Sequence, residues 1–112
     1  MNAMPELNVL VVDDEPAVRQ VLAAAIGKAG YSVEAVGSAA EALARLDKAP
    51  YDVVLSDVFM PVTDGIELIR QARAKGHSAT FIMVTAFASV DSAIDAIKAG
   101  VPAGLDELRS YG

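Results

Sequence analysis

The chain has no cysteine, a single histidine and few aromatics, which make up 5% of its 112 residues. Without a thiol, disulfides and cysteine chemistry are excluded, and a reducing compartment suits it. Positive charge is also scarce: nine Lys and Arg stand against fifteen Asp and Glu, for a net charge of −6. Binding to nucleic-acid phosphates rests on basic residues, so no nucleic-acid partner is expected for this segment. No apolar run approaches the roughly 20 residues of a membrane-spanning helix. Met1 to Glu6 has neither the basic nor the apolar region of a signal peptide. A cytoplasmic protein with no membrane contact is expected. There is no G-x-G-x-x-G after the first apolar run, so dinucleotide binding is not expected either.

What is present is 54% hydrophobic, inflated by alanine, in a length that fits one domain. Strand and helix patterns alternate. Asn8 to Asp13 reads as a strand buried on both faces. Val18, Leu22, Ala25, Ile26 and Ala29 then fall on one helical stripe, with Pro16 in the first turn and Gly30 at the C-terminal stop. Ser32 to Val36 is a second strand. Ser38 and Glu41 form a capping box opening a helix through Leu46 and Asp47. Asp52 to Ser56 is a third strand, Asp64 caps a helix carrying Ile66, Ile69 and Ala72, and Gly76 closes it. Thr80 to Val84 is a fourth strand. Ser89 or Asp91 caps a helix with Val90, Ala93, Ile94 and Ile97, closed by Gly100. This fourfold alternation predicts an α/β doubly wound parallel sheet with right-handed crossovers.

Three of the apolar runs end on polar groups. The first runs into Asp13, Asp14 and Glu15, the third into Asp57, and the fourth into Thr85. In a parallel sheet these ends lie along one edge, where open α/β folds bind ligands. Carboxylates crowded together resist ionising unless a cation joins them. An oxygen-only set suits Mg²⁺, which in turn attracts an anion such as phosphate.

Three stretches now carry a resemblance to a family. Val9-Leu10-Val11-Val12-Asp13-Asp14-Glu15, Ser56-Asp57-Val58-Phe59-Met60-Pro61-Val62-Thr63-Asp64-Gly65, and Val84-Thr85-Ala86 with Ala96-Ile97-Lys98-Ala99-Gly100 resemble the receiver domains of two-component response regulators. The match covers about residues 7 to 100 of a 1–112 receiver domain, leaving 101–112 as an atypical tail. The resemblance implies a flavodoxin-like sheet of order 2-1-3-4. It implies that Asp57 is the phosphoacceptor, served by a histidine kinase. It further implies that Asp14 ligates Mg²⁺ directly and Asp13 through water, with Asp57 and the carbonyl of Phe59 completing the protein ligands. Thr85 and the backbone of Ala86 would meet the phosphoryl oxygens, and Thr85 would switch inward. Phe59 and Phe87, two residues past Asp57 and Thr85, read either as core or, if they flank the acceptor, as a screen against attacking water.

The tail departs from the family. A fifth strand and fifth helix are not visible in the sequence, Glu107 stands where the family has a lysine, and no lysine follows Lys98. A glutamate there would repel both the acceptor and its phosphoryl group. A missing fifth strand and helix would expose the edge of the fourth strand and the apolar face of the first helix, inviting a homodimer or swapped dimer around the fourth strand and helix. Two functions therefore compete: a working phosphorylation switch without turnover of its own, and a phosphorylation-impaired module acting through dimerisation or other protein contacts. A phosphatase built on an aspartyl-phosphate intermediate would need a second acid two residues after Asp57, where Phe59 stands.

Overall fold

Val9, Leu10, Val11 and Val12 are each at most 1% exposed. A run of branched and aliphatic residues with no polar alternation can be buried on both faces, and that puts this strand inside a sheet covered on both sides. The computed structural model describes residues 7–57, 60, 62–84, 94, 97, 110 and 111. In chain order they form β1 (Asn8–Val12), α1 (Pro16–Lys28), β2 (Ser32–Val36), α2 (Ala39–Lys48), β3 (Val53–Asp57), α3 (Gly65–Ala74), β4 (Thr80–Val84) and β5 (Ser110–Tyr111). All strand pairs are parallel and the order is β2-β1-β3-β4-β5. The expected 2-1-3-4 arrangement is present.

Alternating side chains build two cores. Leu10, Val12, Val54, Phe81 and Met83 pack with Ala42 and Leu46 of α2 and with Leu68, Ile69 and Ala72 of α3. Val9, Val11, Val53, Leu55 and Ile82 pack with Leu22 and Ile26 of α1 on the other face. The apolar stripe of α1 is narrower than its spacing predicts, because Val18, one turn before Leu22, is 43% exposed. The chain stops and starts are local. Pro16 occupies the first turn of α1, Ser38 accepts from the Glu41 amide, and Asp64 accepts from the Glu67 amide. Gly30 and Gly76 take φ of +104° and +90° after α1 and α3, a conformation that costs an L side chain energy.

Two expectations about the tail need correction. Ser110–Tyr111 pairs in parallel with Met83 and Val84, so a fifth strand exists. It is two residues long, too short to leave a period-two signature, and its pairing uses main-chain groups that every residue carries. The α1 face is left bare only in part, at Val18 and Val21. Ile94 and Ile97 are helical, Ile97 is fully buried, and both pack with the cluster around Leu22 and Ile26. A right-handed crossover from β4 to a strand on its outer side would pass over the α2–α3 face. Ile94 and Ile97 lie on the α1 side instead. Among the described residues no helix is long and apolar enough to cross a membrane.

Candidate functional site

The C-terminal ends of β1 and β3 are neighbours, with Val12 opposite Ser56 and Asp57 one residue further on. The parallel register therefore carries the acids that follow β1 to the side of the acid that ends β3. One carboxylate oxygen from each of Asp13, Asp14 and Asp57 lies within 4.8 Å of the others. Asp13 is 5% exposed and Asp57 9% exposed. Burial is the main cause that lifts the Asp13 carboxyl above its ordinary value; the backbone amide of Glu15 works against it, and the charges of Asp57, Asp14 and Glu15 add to the rise.

The loop after β1 is built to present acid. The amide of Asp13 donates to Val36 O at 3.1 Å, which ties the loop to the end of β2. Asp13 Oδ1 accepts from the Glu15 amide at 2.9 Å. Glu15, not Asp14, is the N-cap residue of α1, and its side chain makes no capping bond. The ordinary helix-capping role that an aspartate in Asp14's place often fills is therefore not what holds Asp14 here. Beyond Asp57, Asp64 is occupied in capping α3, so it stays outside the acid cluster as expected.

Hard oxygen donors, clustered and partly desolvated, with like charges set close together, fit a small divalent cation. The donor set therefore suits Mg²⁺. The carbonyl of Phe59, the hydroxyl of Thr85, the backbone of Ala86, and Phe87 and Glu107 lie outside the described residues. The sequence pattern overlooked Arg19. Its Nη1 donates to Asp13 O at 2.8 Å, six residues away across the first turn of α1. No spacing rule marks such a side-chain-to-backbone contact. His77, the single histidine, pairs with Asp47 at 2.9 Å and keeps 20% of its side chain exposed.

A family model described as response regulator receiver domain matches residues 9–105. The response regulator MprA of a Mycobacterium species is 39% identical over 101 residues, covering 90% of this chain and 42% of that protein. The response regulator protein PilR of Pseudomonas aeruginosa is 31% identical over 112 residues, covering 95% of this chain and 25% of its own length. Among solved structures, the receiver domain of the hybrid histidine kinase CckA superposes with a TM-score of 0.77 at 26% identity, covering 85% of this chain and 99% of that one. Chemotaxis protein CheY4 of Vibrio cholerae superposes at 0.73 with 30% identity, covering 96% and 86%. The chain thus spans less than half the length of these curated relatives.

Proposed function

This chain belongs to the response regulator receiver family, and on that footing we propose that it is a phosphoacceptor switch in which Asp57 takes a phosphoryl group from a histidine kinase. An oxygen of the Asp57 carboxylate bonds to phosphorus as the phosphorus–nitrogen bond of the donor phosphohistidine breaks, its electron pair returning to the imidazole. Transfers of this kind ask for positioning and charge neutralisation more than covalent work from the protein. Asp13, Asp14, Asp57 and the Phe59 carbonyl would hold Mg²⁺. When bound, the ion offsets the repulsion between the carboxylate and an anionic phosphoryl group. The Thr85 hydroxyl and the Ala86 amide would receive the phosphoryl oxygens, and movement of Thr85 would carry the change outward. The role is that of a cytoplasmic signalling domain, not of a catalyst with turnover.

The single observation that carries this reading is the convergence of three carboxylates within 4.8 Å, one of them ending β3 at the ligand-binding edge of the sheet. Its test is direct. Incubation with acetyl phosphate and Mg²⁺ should give a phosphoryl adduct in the intact mass, absent in Asp57→Asn and absent without the metal. An adduct that persists in Asp57→Asn would reject Asp57 as the acceptor.

A second reading is favoured by Glu107, which stands where the resemblance to the family places a lysine. In that reading the acidic pocket persists and phosphorylation is impaired, so the chain acts through protein contacts. No adduct, together with retained Mg²⁺ uptake, is the outcome that selects it. Self-association fits either reading. β5 pairs only with Met83 and Val84, and among the described residues nothing pairs with the outer side of Thr80 to Ile82. Sedimentation should then show a mass that grows with concentration, and a clean monomer at the highest concentration would rule it out.

A further inference from the structure

Asp13 is held from three sides. Its amide donates to Val36 O, its Oδ1 accepts from the Glu15 amide, and its carbonyl accepts from Arg19 Nη1 at 2.8 Å. The first and third of these link the acid loop to β2's end and to α1. The Arg19 guanidinium also lies against the corner that follows β2: a Cβ built on Gly37 would stand 2.8 Å from Arg19 Nη1 and 3.6 Å from its Cζ. That first distance is closer than carbon and nitrogen pack without displacement. Gly37 is not in the left-handed region, which among the described glycines holds only Gly30 and Gly76. Its backbone therefore tolerates a side chain, and a Cβ there would displace the guanidinium, the far end of a flexible side chain, from its present place.

We propose that Arg19 is a positioning residue for the cation site, fixing the Asp13 carbonyl and so the loop that presents Asp13 and Asp14, and that the bare Cα of Gly37 leaves the guanidinium the place from which it makes this contact. The inference rests on the cation-binding reading above and adds two residues to it. Arg19 acts through geometry. Its contact is with the Asp13 main-chain carbonyl, the group that sets where the loop stands.

The test is Mg²⁺ affinity by titration calorimetry on the full chain, for wild type, Arg19→Ala, Gly37→Ala, Arg19→Lys and the double variant Arg19→Ala/Gly37→Ala, with thermal unfolding in EDTA alongside. Partners that orient metal ligands commonly change affinity tenfold or more. Arg19→Ala and Gly37→Ala should each weaken Mg²⁺ about tenfold, at the lower end of that range. The double variant should be no weaker than Arg19→Ala, because Gly37 acts only through the guanidinium. Arg19→Lys, which keeps one donor for a single carbonyl, should stay within about threefold of wild type. These losses should persist well below the unfolding temperature, where a change in stability alone leaves the affinity of the folded protein untouched. Wild-type affinity in Arg19→Ala, or tighter binding, overturns the proposal. Losses that multiply in the double variant overturn the link to Gly37. A wild type that takes up no Mg²⁺ defeats the cation-binding reading itself, a result separate from either of these.

Discussion

Val62 carries φ of +70° with its side chain fully exposed. A β-branched residue in the left-handed region is strained by about 1 to 2 kcal/mol, and nothing buried compensates it here. Glycine at this position removes the strain and gives back part of the gain as greater freedom in the unfolded chain. Val62→Gly should stabilise the protein by about 1 kcal/mol, read as a higher urea midpoint; an unchanged or lower midpoint would contradict the strain. A second residue-scale consequence concerns the acids. Unit charges about 5 Å apart repel by about 1 to 3 kcal/mol at effective dielectric constants between water and a protein surface. Asp13→Asn should therefore stabilise the metal-free protein by an amount of that order while abolishing the stabilisation that Mg²⁺ gives wild type. Urea unfolding with EDTA and with Mg²⁺ checks both halves. At this scale the sequence announced Asp13, Asp14 and Asp57, because each ends an apolar run. Arg19 and Gly37 escaped it, because a guanidinium on a carbonyl and a missing Cβ are facts of distance, not of spacing.

The elements were legible wherever their ends carry side-chain chemistry. Ser38 and Asp64 cap α2 and α3 through their own oxygens, and a polar residue followed three positions later by glutamate announces such a cap in the sequence. Asp64→Ala should cost about 1 kcal/mol in chemical denaturation, the usual worth of an N-cap. The connection between α2 and the segment leading to β4 was not legible. Asp47 Oδ2 accepts from Lys75 Nζ at 2.7 Å, and its Oδ1 lies 2.9 Å from His77 Nε2. These residues are about 30 positions apart, and only the folded packing of α2 beside α3 brings them together. The Lys75 hydrogen bond first, and His77 next, hold the Asp47 carboxyl below its ordinary value of 3.8. A depressed carboxyl stabilises the fold above its unfolded value, and that contribution is lost as pH falls through the lower folded value. Asp47→Asn should then lower the urea midpoint at neutral pH, with the gap to wild type closing in acid. A gap that stays constant into acid would mean that the charge is not what matters.

For the molecule as a whole, alternation of buried strands and amphipathic helices decided the fold, because parallel strands need crossover helices and helices need a sheet face to cover. The order of β1 to β4 comes instead from the resemblance to the receiver family, since alternation and short connections admit other orders. The placement of the last elements follows from neither. Ile94 and Ile97 carry an apolar stripe that satisfies either face of the sheet, and only the folded packing puts it beside Leu22 and Ile26. Two residues of β5 give no pattern to read, yet they cover part of the β4 edge. The whole arrangement serves one edge, where β1 and β3 deliver acid to a common point. Fluorine NMR with beryllofluoride probes that point most directly, since the mimic bonds to an acceptor carboxylate beside a bound cation. A bound resonance that appears only with Mg²⁺ and vanishes in Asp57→Asn is the predicted result. A resonance unaffected by that substitution, or none with Mg²⁺ present, would contradict the assignment of Asp57 as the phosphoryl acceptor.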